Sequence, residues 1–174
     1  MDLLRLTLRH ITSNDANFLY ELMNTQKWHQ FIGDRGITSV AAARKYIEEK
    51  MDAQLSTKGF INYVMIERTT NQPVGTCSIH NRAGVVGLDV GYALLPTFEG
   101  SGYASEGAKA MIGQVFSVYH QEKVSAITTT ENVGSCKLLE RLGFTQQGFL
   151  QLPNGTLQLR HYSLAKKDWL VNLS

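Results

Sequence analysis

Proline is scarce in this chain, with three in 174 residues, and there is no low-complexity run, internal repeat or stretch that reads as a linker. Cysteine is scarcer still. Cys77 falls in a strand pattern and Cys136 in a helix pattern, so the pair gives neither a disulfide framework nor metal-ligand spacing, and both are expected to be buried and reduced. The five histidines, His10, His29, His80, His120 and His161, likewise lack ligand spacing, and no metal is expected. No segment approaches the ~18 apolar residues of a membrane span, and the first ten residues lack the long apolar core of a signal peptide. A cytoplasmic protein with no membrane partner is the expectation. Net charge is only +2, with lysines and arginines scattered, which argues against an extended nucleic-acid face.

What is present is an ordinary globular composition, 43% hydrophobic and 18% charged, at the size of a single domain spanning residues 1–174. Such a chain buries roughly two-thirds of its unfolded surface. The most informative stretch is residues 87–110. Leu88, Val90, Tyr92 and Leu94 alternate with Asp89, Gly91 and Ala93, which is the period of a half-buried strand, and Pro96 ends it. The turn Glu99-Gly100-Ser101-Gly102-Tyr103-Ala104 follows. Beyond it Ala108, Met111, Ile112, Val115, Phe116 and Tyr119 recur at helical spacing.

A strand, a glycine turn and a helix together offer an anion site, because the first helical N–H groups have no intrahelical acceptor and the macrodipole adds positive character there. Glycines without a Cβ would let a diphosphate approach the backbone. Two glycines also simply permit a turn, so the context decides. The turn lacks the Gly-Lys-Ser/Thr ending of a P-loop. It also lacks the third glycine of a dinucleotide fingerprint, where Ser105 stands, and Glu131 lies too far on for the usual ribose-binding acid.

Around this centre the periodicities predict a first strand from Leu4, Leu6 and Leu8, then a helix capped by Ser13 or Asn14 with Ala16, Leu19, Tyr20 and Met23 as its apolar stripe. Residues 27–37, carrying Trp28, His29, Phe31 and Ile32, read as a loop. Thr38 or Ser39 opens a second helix to about Leu55, followed by Gly59. Residues 60–67 and 74–80 are strand-like around a hairpin turn at 69–73, and with 87–94 form an antiparallel meander. Residues 124–130 form the next strand, Asn132 starts a helix, and 144–150 and 157–164 close the chain as strands around a turn at 153–155. The βαβ unit centred on the glycine turn requires a parallel pair. The expected fold class is thus α/β with α+β character, a mostly antiparallel mixed sheet with one parallel unit and flanking helices.

Three separated segments resemble the GNAT acetyltransferases. The turn from Glu99 to Ala104 is similar to motif A, Gln/Arg-x-x-Gly-x-Gly/Ala, with an acid at its first position. Residues 132–144 look like the family's Asn-x-x-Ser helix ending in Leu-Gly-Phe. Arg160-His161-Tyr162-Ser163-Leu164, followed by Lys166, Lys167, Asp168 and Trp169, resembles the family's tail. All three occur in the order of the branch that holds the ribosomal-protein N-terminal acetyltransferases. The resemblance implies the GNAT fold and an N-acetyltransferase that uses acetyl-CoA, with Leu94, Gly100, Ser101, Gly102, Tyr103, Ala104 and Asn132 binding the cofactor. The implied acceptor is a protein N-terminus, or else a small amine such as a polyamine or an aminoglycoside; monomer and homodimer are both open.

The chemistry requires an uncharged amine, donors for the developing oxyanion and a proton for the departing thiolate. An α-amino group with pKa ~8 is about a tenth neutral at pH 7, so a weak base suffices. Asp89, sharing a strand face with Gly91 and Ala93, is the candidate to serve the amine; a solvated strand-edge acid is the alternative reading. Glu106 is a weaker candidate, since an acid in a first helical turn is explained by the dipole. Ser135 is the candidate to serve the thiolate, because the tyrosine many family members carry is replaced by Leu139. Asn132 and Ser135 both have a second explanation as helix-start residues. Glu99 and the missing tyrosine keep open a non-catalytic acyl-CoA-binding module, and a dinucleotide-binding oxidoreductase is the remaining rival.

Overall fold

The computed structural model describes residues 1, 3–52, 55–56, 62–153 and 155–171. Its contacts divide the chain into two compact units, the first made of Met1–Ser78 with Tyr92–Gly107 and the second of Ile79–Gly91 with Ala108–Ser174. The strands are β1 (Leu6–His10), β2 (Asn62–Glu67), β3 (Gln72–His80), β4 (Leu88–Leu94), β5 (Lys123–Thr129), β6 (Thr145–Leu150) and β7 (Leu159–Ala165). The helices are α1 (Ala16–Met23), α2 (Gln26–Phe31), α3 (Val40–Tyr46), α4 (Tyr103–Ser117), α5 (Val133–Arg141) and α6 (Lys166–Val171). The strands form one seven-stranded sheet in the order β1-β2-β3-β4-β5-β7-β6, mixed as expected. Among the described residues no helix is long and apolar enough to cross a membrane.

In the first unit, β1 buries Leu6 and Leu8 and pairs antiparallel with β2, from Leu6 opposite Glu67 to His10 opposite Tyr63. Leu4 lies outside the strand and is exposed. The cap before α1 differs from expectation. A short 3₁₀ turn, Ser13–Asp15, comes first, and Thr12 with Asp15 forms a capping box in which Thr12 N donates to Asp15 Oδ2 at 2.8 Å. Arg9 adds two bonds to the same carboxylate, 2.7 and 2.6 Å, and although burial opposes the charge, these partners hold Asp15 below its usual range.

The expected loop at 27–37 contains α2, capped by Thr25, whose Oγ1 accepts from Trp28 N. Six residues with no buried member leave little apolar periodicity to read. Leu19, Leu22, Ala43, Ile47 and Val64 form the centre of this unit's core, with Trp28 and Phe98 packed half-buried against it. The second helix starts at its expected cap, Ser39, but after Tyr46 it passes into a π-helical turn, Ile47–Met51, that keeps Ile47 and Met51 buried. Asp52, Leu55 and Ser56 are helical, so the helix reaches its expected end, while Gly59 lies outside the described residues. In the β2–β3 hairpin Glu67 accepts from Thr69 N, Thr70 N and Thr70 Oγ1, and Asn71 takes φ +57. Gln72 and Pro73 belong to β3 and not to the turn. Proline is tolerated because the register slips there, Met65 facing Gly75 and Ile66 facing Pro73.

In the second unit the predicted parallel pair is present, with Leu88 opposite Val124 and Asp89 opposite Ser125. β7 runs antiparallel to both β5 and β6 and lies between them, an order that periodicity alone does not specify. β7 begins at Leu159, and Leu157 is exposed; residue 154 of the expected turn lies outside the described residues. Ala108, Met111, Ile112, Val115 and Phe116 are all buried as the helical stripe required, while Tyr119 lies beyond the helix end. α5 buries Cys136, Leu138 and Leu139, and the chain leaves it through Gly143 at φ +92.

Candidate active site

The glycine turn in the first unit is built around two left-handed glycines, Gly100 at φ +74 and Gly102 at φ +84, directly before α4. A Cβ placed on Gly100 would meet nothing within 4 Å, so the turn presents open space where the resemblance places a diphosphate. A residue that sequence spacing did not single out organises the turn. Arg5 Nη1 donates to Ser101 O at 2.6 Å, and its guanidinium carbon lies 4.8 Å from the centre of the Tyr103 ring. Arg5 Nε meets Glu106 Oε2 at 3.0 Å, and Glu106 Oε1 accepts from the backbone of Arg5 and of Leu6 at 2.7 and 3.1 Å. Glu106 is therefore spent on tying β1 to the start of α4. Glu99, the acid that departs from motif A, is ion-paired with Lys27.

In the second unit Asp89 lies in an interior strand and is 1% exposed. The alternative of a solvated strand-edge acid is thus overturned, because β4 has strands on both sides. Asp89 Oδ2 lies 3.0 Å from Arg82 Nε, while Oδ1 has no hydrogen-bond partner among the described residues. Burial pushes the carboxyl up and Arg82 pulls it back only in part, leaving it at about 6. The parallel register with β5 is recorded as far as the Asp89–Ser125 pair.

At the head of α5, Asn132 Oδ1 accepts from Ser135 N at 3.1 Å, so Asn132 caps the helix, and the structure joins these two predicted residues through that bond. Ser135 is half-buried and Leu139 is buried. A tyrosine is present nearby from another element. Tyr162 of β7 is fully buried, its hydroxyl 3.4 Å from Glu140 Oε1, and burial first, then Cys136 and Glu140, raise it to about 12. An open groove of about 540 Å³ along α5 is lined by Gly134, Lys137, Glu140 and Arg141.

A mixed sheet with flanking helices and a glycine turn leading into one of them is the fold that the resemblance to acyl-CoA-dependent acetyltransferases implied. Comparison with known proteins gives the family. The model of the acetyltransferase (GNAT) domain matches residues 5–145, and the chain belongs to the GNAT family as an acyl-CoA-dependent N-acetyltransferase. An uncharacterized N-acetyltransferase, p20, of Bacillus licheniformis is 30% identical over 171 residues, 95% of either chain. Among solved structures, a ribosomal-protein-S5-alanine acetyltransferase from Vibrio fischeri aligns with a TM-score of 0.75 at 18% identity over 97% of both chains. The aminoglycoside acetyltransferase AAC(6')-Ib in complex with coenzyme A aligns with a TM-score of 0.77 at 17% identity, over 97% of this chain and 99% of that one. At such identities the two structures speak for the fold.

Proposed function

We propose that this enzyme transfers the acetyl group of acetyl-CoA directly to a protein N-terminal α-amino group in a ternary complex, with ribosomal proteins as the first acceptors to test. The whole chain, residues 1–174, acts as one catalytic domain in this reading, as a monomer or a homodimer. The observation that carries the acceptor class is the buried Asp89 at about 6, with one oxygen unpartnered. Such a carboxylate is ionised at neutral pH and suits a cationic amine. An α-amino group with pKa ~8 needs only a weak base to shed its proton, whereas a lysine at ~10.4 needs a much stronger one.

The residues present fit an acyl-CoA: the glycine turn leaves open space where a side chain would intrude, and the first amides of a helix have no intrahelical acceptor. Gly100, Ser101, Gly102, Tyr103 and Ala104 are assigned to the diphosphate, Leu94 and Asn132 to the pantetheine arm. Ser135 is assigned to the departing thiolate and Asp89 to the amine. Bound acetyl-CoA supplies the activated acyl group; the chain supplies orientation and charge. The pairing of Glu99 with Lys27 answers one of the two arguments for a module that binds without turnover, the replaced tyrosine being the other.

The test is titration calorimetry with acetyl-CoA, with NAD as control, followed by product mass spectrometry on an acceptor panel. The panel holds peptides beginning with alanine or serine, the same peptides with a blocked N-terminus and one lysine, a polyamine and an aminoglycoside. Acetylation of the free N-termini alone supports the reading. Preference for the polyamine or aminoglycoside replaces the acceptor, and tight binding without transfer to any amine overturns it.

A further inference from the structure

A second polar pair stands on the same sheet face as Asp89. Ser125 is opposite Asp89 on β5 and opposite Ser163 on β7, and His161 is two residues further along β7 on that face. Ser125 is 3% exposed. Its Oγ donates to Val86 O at 2.8 Å and lies 3.1 Å from His161 Nε2.

The hydrogen count fixes the rest. A serine hydroxyl has one proton, and a carbonyl oxygen can only accept, so that proton belongs to Val86 O. Two lone pairs would face each other at 3.1 Å unless His161 Nε2 carries a hydrogen and donates it to Ser125 Oγ. In the neutral ring Nδ1 is then the unprotonated nitrogen, and among the described residues it has no hydrogen-bond partner. Both neighbouring strands leave it uncharged company: Ile127 and Ser125 face it from β5, and Gly148 is opposite on β6. The adjacent Arg160 points to the other face, where it donates to Gln146. Asp89, with Arg82, is the charged group on this face from β4.

We propose that His161, locked by Ser125 with its Nδ1 lone pair free, is the base that takes the proton of the acceptor ammonium, while Asp89 holds that ammonium by charge. The inference rests on the amine-acetylation reading above. The balance closes: the ammonium gives one proton to Nδ1, the neutral amine forms the C–N bond as the C–S bond breaks, and the departing sulfur takes up a proton as the nitrogen loses its second. The proton on Nδ1 is the net proton of the reaction and returns to water. Ser125 accepts from Nε2 in both charge states, so the ring does not turn over during the cycle. Burial lowers the imidazole from its usual value, which keeps it neutral at working pH.

Two measurements test this. Nitrogen-15 NMR of the imidazole rings, with His161→Gln used to assign the signal, is expected to show His161 as the Nε2–H tautomer, and Ser125→Ala is expected to weaken that preference. A dominant Nδ1–H tautomer overturns the inference whatever the activity. In turnover, His161→Gln keeps an amide N–H for Ser125 and removes the base. Its kcat is expected to fall about tenfold at pH 7, where about a tenth of the amine is already neutral, and to recover as pH rises toward the acceptor's own pKa of ~8, with the loss shrinking for acceptors of lower pKa. An equal loss for every acceptor at every pH marks a structural role and overturns the inference while leaving the acetyltransferase reading intact. Failure of the wild type to acetylate any amine fails that reading, and the inference with it.

Discussion

Arg82 reaches Asp89 from a loop: its Nε lies 3.0 Å from Oδ2, with Arg82 about one-third exposed and Asp89 almost fully buried. The pair is lopsided, and burial outweighs attraction. Between the ordinary value of 3.8 and the folded value of about 6, the native state binds a proton that the unfolded chain does not, so Asp89 makes stability fall as pH rises through that window. Its cost is fully present above about pH 6 and amounts to roughly 3 kcal/mol. Urea unfolding of Asp89→Asn against wild type at pH 4 and pH 7 is expected to show the variant gaining by about that amount over the interval. Acids stabilised in the native state, Asp15 and Glu67, cancel in the difference. A constant difference would place the shift elsewhere.

Gly102 and Gly100 both have positive φ and differ in surroundings. A Cβ on Gly102 meets Arg5 Nη2 at 3.1 Å, whereas one on Gly100 meets open space. Gly102→Val therefore combines backbone strain with displacement of Arg5 and is expected to weaken acetyl-CoA binding at least tenfold in a folded protein. Gly100→Ala carries the strain alone, about 1–2 kcal/mol of stability, with a smaller effect on calorimetric affinity.

Lys27 neutralises the acid that departs from motif A. Lys27→Ala exposes the Glu99 charge beside the turn assigned above, as a proposal, to the diphosphate, and is expected to raise the Kd for acetyl-CoA several-fold, more at low salt than at high. Glu99→Gln is expected to leave the Kd unchanged or lower it, and the double variant should resemble Glu99→Gln. A salt-independent effect would point to packing.

Ser135 and Asn132 separate by atom. The cap bond uses the Ser135 backbone, so Ser135→Ala keeps it and is expected to lower kcat with little change in acetyl-CoA Kd. Asn132→Ala removes the cap, costing about 1 kcal/mol of stability, and weakens cofactor binding. Unchanged turnover in Ser135→Ala would remove the serine from the chemistry.

Gly75 and Gly107 test packing in the first unit. A Cβ on Gly75 falls 2.2 Å from the Ala93 carbonyl oxygen, which is backbone, and one on Gly107 falls 2.4 Å from Met65 Sδ, which can swing away. Gly75→Ala is expected to cost more than the ~1–3 kcal/mol of ordinary overpacking, and Gly107→Ala about that much or less, read from thermal or urea unfolding.

These residues also show what a linear reading captures. The strand, glycine turn and helix at 87–117 were legible because period two gives way to period 3.6 across two glycines, and the cap at Asn132 because its residue type is diagnostic. Arg5 was not, since it is brought to the turn by pairing with Glu106, 101 residues away. Lys27 and Glu99 are 72 apart, and Ser125 and His161 are 36 apart on strands whose order the period does not encode. The cap at Thr12 was missed because two nearer candidates, Ser13 and Asn14, are of equally suitable type, and only the Asp15 contact selects between them.

The two cysteines also carry a practical consequence. Cys77 is fully buried with its thiol pushed far above the usual range, and Cys136 is 7% exposed. Each falls in a different compact unit. Reagents that trap thiols react with such groups only when the surrounding structure opens, so the rates at which the two sulfurs are labelled clock the opening of each unit separately. Adding acetyl-CoA during labelling would show which unit the ligand holds shut.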